Sequence, residues 1–188
     1  MEINKFVSLA KRGDKKAYMT LIKDNEASMY RIAKAILKCD EDCKDAIQET
    51  VIRGYEGIVK LRFNEYFKTW LLKILINECN KIVRVHRREV ALEEHIVDYF
   101  AGNKNDLNHL ETSYSSDEVD NLDLNMALAS LEPELKMVVI LFYFEDLSIK
   151  DISKITGIPQ GTVKSRLSRA RAKLREKLEV VEGGVICE

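Results

Sequence analysis

The sequence predicts an all-α protein: two small helical domains joined by a flexible acidic linker, the C-terminal one carrying a helix-turn-helix. Three observations lead there. Apolar residues recur at helical spacing through most of the 188 residues, and no long alternation of β-branched residues interrupts them. Only two prolines occur, Pro133 and Pro159, and both stand where a helix would begin. Charge is segregated: the net charge is −1, yet residues 89–124 hold ten acids and one base, Lys104. The expected division is therefore a domain over 1–88, a linker over 89–121, a second domain over 122–180 and a tail over 181–188.

In chain order, Phe6, Val7, Leu9 and Ala10 predict a short amphipathic helix over 3–11, closed by Gly13. Asp14 opens the next periodic stretch, which carries Ala17, Tyr18, Leu21, Ile22, Met29, Ile32 and Ala33 to about Leu37. That stretch is one long helix, or two with a kink near Asp24 and Asn25. A third helix runs from Asp40 to about Lys60, with Ala46, Ile47, Val51, Ile52 and Tyr55 toward a core. Its other side, Asp42, Asp45, Gln48, Glu49 and Arg53, is polar and mostly acidic. Residues 60–66 read as a loop. The fourth helix, Phe67 to about Arg88, buries Phe67, Trp70, Leu71, Ile74, Leu75, Ile82 and Val83 beneath a basic surface.

Periodicity fades after Glu89, with a short helix near Leu92–Phe100 as a local option, and returns at Leu122. Leu122, Met126, Leu128 and Leu131 predict one helix; Pro133 starts another, with Leu135, Val138, Val139, Leu141, Phe142 and Phe144 as its apolar set. Ser148, three residues before Asp151, opens a helix whose apolar side is Ile149, Ile152 and Ile155. Gly157 supplies a left-handed stop, and Pro159 pre-sets the next start. In the last helix Val163, Leu167, Ala170, Leu174 and Leu178 make one narrow stripe. Between Gln160 and Lys177 there are seven cations and one acid, Glu176. Small Ser165, Ser168 and Ala172 would let this helix sit deep in a major groove, where Lys164 and Arg169 reach base edges or phosphates. A solvated charged helix is the plainer alternative, but it leaves the glycine turn and the preceding short helix without a purpose.

Other classes are poorly served. The chain shows no phosphate-binding glycine loop, metal-ligand cluster or nucleophilic triad, so neither an enzyme nor a cofactor or small-molecule substrate is expected. Cys39 and Cys43 could meet on one helix face, but a metal would need two more ligands, and His86, His95 and His109 lack metal spacing. No signal peptide opens the chain and no apolar run approaches ~18 residues. The expectation is a cytoplasmic protein with reduced cysteines.

Three segments resemble the extracytoplasmic-function (ECF) sigma factors of the sigma-70 family. DAIQETVIRGY (Asp45–Tyr55) and FKTWLLKILINECNKIVRVHRR (Phe67–Arg88) resemble region 2. Leu128–Arg175, with GTVKSRLSRAR at its heart, resembles region 4 almost throughout. The resemblance implies a dissociable sigma factor that binds core RNA polymerase and directs promoter-specific initiation. Asp45, Gln48, Glu49 and Arg53 would dock on the β′ clamp, and region 4 would lie against the β flap. Arg62, Phe63, Asn64 and Tyr66 would hold a flipped base of the −10 element, although this loop departs from the commoner Gly- and Ser-containing one. Lys73, Asn77, Asn80, Lys81 and Arg84 would face −10 DNA. Lys164, Ser165, Ser168 and Arg169 would read the −35 element, while Arg166, Arg171, Lys173 and Thr162 hold phosphates.

The resemblance also implies an anti-sigma factor, often membrane-anchored. The protein would then be nucleoid-associated when active, or held at the membrane by that partner. The linker is long enough: about 20 base pairs span roughly 70 Å, and some 33 residues extend to about 110 Å. Its acids could mimic nucleic acid inside the polymerase. The alternative is a stand-alone helix-turn-helix regulator, which would leave Asp45–Tyr55 and Phe67–Arg88 unexplained.

Overall fold

In the first helix, α1 (Glu2–Lys11), buried Val7 and Ala10 face inward before the chain turns at Gly13, whose φ of +91° suits a residue without Cβ. The computed structural model describes residues 2–37, 39–97 and 122–182, and every regular element among them is helical. Asp14 caps α2 (Lys15–Ile36), its carboxylate accepting from the Ala17 N–H at 3.1 Å. Of the two options for this stretch, the single helix is found: α2 passes Asp24 and Asn25 unbroken, and the Asn25 amide donates to the Leu21 carbonyl.

Helix α3 (Asp40–Gly57) stops short of Lys60, because residues Ile58–Lys60 tighten into a 3₁₀ turn. A second 3₁₀ turn, Asn64–Tyr66, leads into α4 (Phe67–Val97). The expected end of α4 near Arg88 is corrected here. Residues 89–97 contain neither Gly nor Pro, and the helix runs on through them. The rest of the expected linker, 98–121, and the tail beyond 182 lie outside the described residues, as do the side chains of Leu122 and Leu178.

The C-terminal half comprises α5 (Leu122–Ala129), α6 (Pro133–Val139), a π-helical turn (Ile140–Phe144), α7 (Ile149–Thr156) and α8 (Gln160–Glu182). It does not stand apart. Helix α6 packs on α2 and α7 packs on α4, so the buried residues of both halves form one continuous apolar cluster. Helix α4 is thus enclosed by α2, α3 and α7. This explains why its buried arc includes Leu72, Ile76 and Cys79, which a one-sided stripe omits, while Trp70, Ile74, Ile82 and Val83 are only partly covered.

Three residues expected in the core are exposed. Ile52 lies seven positions after Asp45, hence on the same side of α3 as that acid. Met126 points outward because α5 packs mainly on α8. Phe144 closes the π turn, in which the Glu145 N–H reaches back to the Ile140 carbonyl at 3.1 Å. The wider turn shifts the rotation of the residues at its end, so Ile140 and Glu145 face inward instead.

Candidate nucleic-acid interface

The helix-turn-helix is built from local hydrogen bonds. The Ser148 hydroxyl accepts from the Asp151 N–H at 3.1 Å and donates to its carboxylate at 2.6 Å, starting α7. Gly157, at φ +75°, ends it, its N–H bonded to the Ser153 carbonyl. The Ser153 hydroxyl then donates to the Ile158 carbonyl at 2.7 Å, holding the turn closed. Ile152 and Ile155 of α7 and Val163, Leu167 and Ala170 of α8 are buried, and they fix the rotation of α8 about its axis.

That rotation leaves Lys164, Ser165, Ser168 and Arg169 exposed together, with Arg171, Ala172 and Lys173 beside them and Thr162 half-covered. Ser165 is turned onto its own helix, donating to the Thr162 carbonyl at 3.0 Å. Two expected phosphate contacts already have partners. Arg166, only 16% exposed, bonds the Glu134 carboxylate at the start of α6, and Lys173 bonds Glu132 at 2.7 Å. Lys173 holds the Glu132 carboxyl below its ordinary value. Arg166 and Lys173 thus tie α8 to α6, and neither acid stands out from the sequence.

The second surface lies at the junction of α3 and α4. Phe63 and Tyr66 are both exposed and meet edge to face, with ring centroids 6.1 Å apart. Asn64, between them, is turned away. Its amide donates to Ser8 Oγ and the Asn4 carbonyl, and its oxygen accepts from Lys11 Nζ at 2.6 Å. It pins the loop to α1, with its hydrogen-bonding capacity in use there. Arg62 is exposed beside the aromatic pair.

Along α4, the exposed Lys73, Asn77, Asn80, Lys81 and Arg84 follow one another on the outer side. The last four line a groove of about 550 Å³ together with Arg53, Glu56, Lys60 and Glu78. Glu78 is the residue that sequence reasoning missed. Its side chain is 8% exposed, and its carboxylate accepts from Lys81 at 2.8 Å and lies 3.2 Å from Arg53 Nε. The only sequence signal was an acid inside an otherwise basic and amide-rich run. Arg53 also pairs with Glu49 at 2.6 Å.

On the other side of Glu78, a second groove of about 340 Å³ is lined by Asp45, Ala46, Gln48, Glu49, Lys81 and Ile82. Asp45, Gln48 and Glu49 line this groove together, whereas Arg53 lines the first groove and reaches them through its pair with Glu49; exposed Ile52 lies next to Arg53 on the same helix. An acidic and amide face of this kind suits a helix bearing arginines.

Among the described residues no group of side chains could hold a metal ion, and no helix is long and apolar enough to cross a membrane. Cys43 and Cys79 are buried, and burial pushes their thiols up to about 11 and about 12, which keeps them un-ionised and poorly reactive.

Two family models match the chain: Sigma-70 region 2 over residues 21–89, and Sigma-70 region 4 over residues 121–174. The chain is 29% identical over 168 residues to the RNA polymerase sigma factor SigV of Bacillus subtilis, covering 89% of this chain and 95% of that one. It is 28% identical to the ECF RNA polymerase sigma factor SigW of the same organism, covering 95% and 97%. A solved structure of the sigma factor RpoE in complex with the anti-sigma factor NepR, from Bartonella quintana, superposes with a TM-score of 0.66. That match is at 26% identity and covers 89% of this chain and 98% of that one. With region 2 and region 4 both matched and the relatives aligned nearly end to end, the chain belongs to the ECF group of the sigma-70 family, the sigma factors of bacterial RNA polymerase.

Proposed function

We propose that this sigma factor reads its promoter through two surfaces and is not itself an enzyme. The helix α8 face of Lys164, Ser165, Ser168 and Arg169 enters the major groove of the −35 element. Phe63 and Tyr66, with Arg62, receive an unstacked base of the −10 element, and Asn77, Asn80, Lys81 and Arg84 follow the adjoining backbone. Asp45, Gln48, Glu49 and Arg53, with Ile52 among them, dock on core polymerase. The observation that carries the reading is the pairing of two unlike surfaces on one chain. One is a basic helix with small side chains suited to duplex DNA; the other combines an exposed aromatic pair at the start of α4 with a groove along that helix lined by four cations, two acids and two amides, suited to a single strand.

Residues 1–88 would form the region 2 unit, 122–180 the region 4 unit, and 89–121 the connection. An anti-sigma factor would hold the protein when it is idle, as NepR binds RpoE in the complex from Bartonella quintana. The protein would act in the cytoplasm.

Run-off transcription tests this reading. Purified protein is added to bacterial core polymerase on fragments of the source genome. Specific transcripts are expected, and Lys164→Ala with Arg169→Ala should abolish them. No transcript and no complex with core polymerase, together with tight operator binding by the free protein, would favour a stand-alone regulator instead.

A further inference from the structure

We infer that Glu145 is a latch that holds the region 4 helices on the region 2 helices, and that the latched form cannot read a complete promoter. The proposal rests on the two-element reading above; the existence of the latch does not.

Glu145 is a carboxylate whose side chain is 0% exposed, at the end of the π turn. Both its partners come from the other half of the chain. Arg31 Nη2 of α2 donates to Oε1 at 2.9 Å, and Lys68 Nζ of α4 lies 2.8 Å from Oε2. Burial alone would raise this carboxyl, but the bonds from Lys68, Ser28 and Arg31 outweigh it and leave it ionised. The neighbouring backbone is unusual on both sides. The π turn precedes Glu145, and Asp146 comes after it at φ +53°, the only described non-glycine residue with positive φ. Both features aim one acid at the other half.

The contact is also made to part. Arg31 and Lys68 are 41% and 43% exposed, so water can take over their charges on separation. Arg31 Nε and Glu145 Oε2 are both buried without an aligned hydrogen bond, Lys68 meeting Oε2 as an ion pair only, so the closed state leaves polar groups unsatisfied. A buried ion pair set into an apolar contact carries a desolvation cost that a permanent interface would avoid.

Closure conflicts with promoter geometry. Helix α7 packs on α4, and α8 packs on α7. Axes of packed helices lie about 10 Å apart, so α8 stands roughly 20 Å from the axis of α4. From Lys68 to Arg84 along α4 is about 24 Å. The −35 and −10 surfaces are then on the order of 30 Å apart. The two elements, about 20 base pairs apart, need roughly 70 Å. The reading faces stay exposed when the latch is shut, so closure acts through spacing and not by covering them.

The test uses the full chain and two readouts: radius of gyration by small-angle X-ray scattering, and run-off initiation from a two-element promoter at limiting sigma. Glu145→Gln, and separately Arg31→Glu with Lys68→Glu at partly exposed positions, should both expand the protein and raise initiation by roughly fivefold or more. Combining Glu145→Lys with Arg31→Glu and Lys68→Glu reverses every charge and should return both readouts toward wild type; a variant that had merely misfolded would not be rescued. Unchanged dimensions in the first two variants would overturn the latch. Expansion without a rise in initiation would overturn its gating role. Absence of transcripts from wild type and all variants would instead overturn the two-element reading, with the scattering still deciding the latch.

Discussion

Gly54 to alanine should destabilise the protein although it places a better helix former inside α3. Its position on α3 is buried, and an added Cβ would meet Tyr18 Oη well inside the 3.0 Å that real Cβ atoms keep. Tyr18 cannot withdraw freely. It is 2% exposed, and its hydroxyl donates to the Val51 carbonyl at 2.7 Å. Helix propensity favours alanine by about 1 kcal/mol. Overpacking opposes it by about 1–3 kcal/mol, and a displaced buried hydroxyl adds about 1–3 kcal/mol. The net loss should be about 2 kcal/mol. Tyr18→Phe alone should lose about 1 kcal/mol, for the hydrogen bond.

The double variant separates the causes. Without Oη, the nearest atom to the new Cβ is Leu71 Cδ1 at 3.3 Å, and Tyr18 Cζ at 3.6 Å is an ordinary contact. Gly54→Ala with Tyr18→Phe should therefore be near wild type, a coupling of about 3 kcal/mol in its favour. Urea unfolding at constant m-value measures all four proteins. Gly54→Ala as stable as wild type, or a double variant equal to the sum of the singles, would refute the close-approach argument. The matter bears on function because the seating of α3 on α2 orients Asp45, Gln48, Glu49 and Arg53.

Further outcomes are expected. Arg169→Ala should weaken −35 duplex binding and relax base preference by about 1–3 kcal/mol if it reads a base, whereas a phosphate contact would instead lower the salt slope by about 1; a salt titration against wild-type and mutated −35 duplexes decides which. Glu134→Gln should strengthen duplex binding, since it frees Arg166 and removes an acid beside the DNA face; unchanged affinity would show Arg166 to be only a brace. Phe63→Ala should cost about 1–3 kcal/mol of affinity for single-stranded −10 DNA in the holoenzyme, and Asn64→Ala should act instead through a loosened loop, read as lower stability with α1 more protease-sensitive. The carboxyl of Glu145 lies below its ordinary value when folded, so its contribution is complete above that ordinary value and is lost as pH falls through the lowered one. Urea unfolding from pH 7 down to pH 3 should therefore show a shallower acid-side loss in Glu145→Gln than in wild type.

Much of this protein was legible because its helices carry local signals. Asp14, Ser148, Gly13 and Gly157 act on the backbone within a few residues, so the ends they set are found where expected. The exposed face of α8 was legible for a related reason. The stripe Val163–Leu167–Ala170 sets the rotation of the helix, so Lys164, Ser165, Ser168 and Arg169, which lie away from it, face out. The region 2 and region 4 motifs lie within single helices or neighbouring ones, so sequence similarity carries them directly.

Beyond the reach of the sequence were the relations between residues far apart along the chain. Nothing local distinguishes Asn64 as a loop pin from Asn64 as a base reader; the decision is made by Asn4, Ser8 and Lys11, more than fifty positions away. Glu78 reads as one more surface acid until α3 brings Arg53 against it. Glu145 reads as the polar end of an amphipathic helix, and only the packing of α6 on α2 and of α7 on α4 places it, dry, between Arg31 and Lys68. Helical periodicity reports which side of an element is apolar. Which element covers that side, and which charge waits there, is a property of the tertiary contact alone.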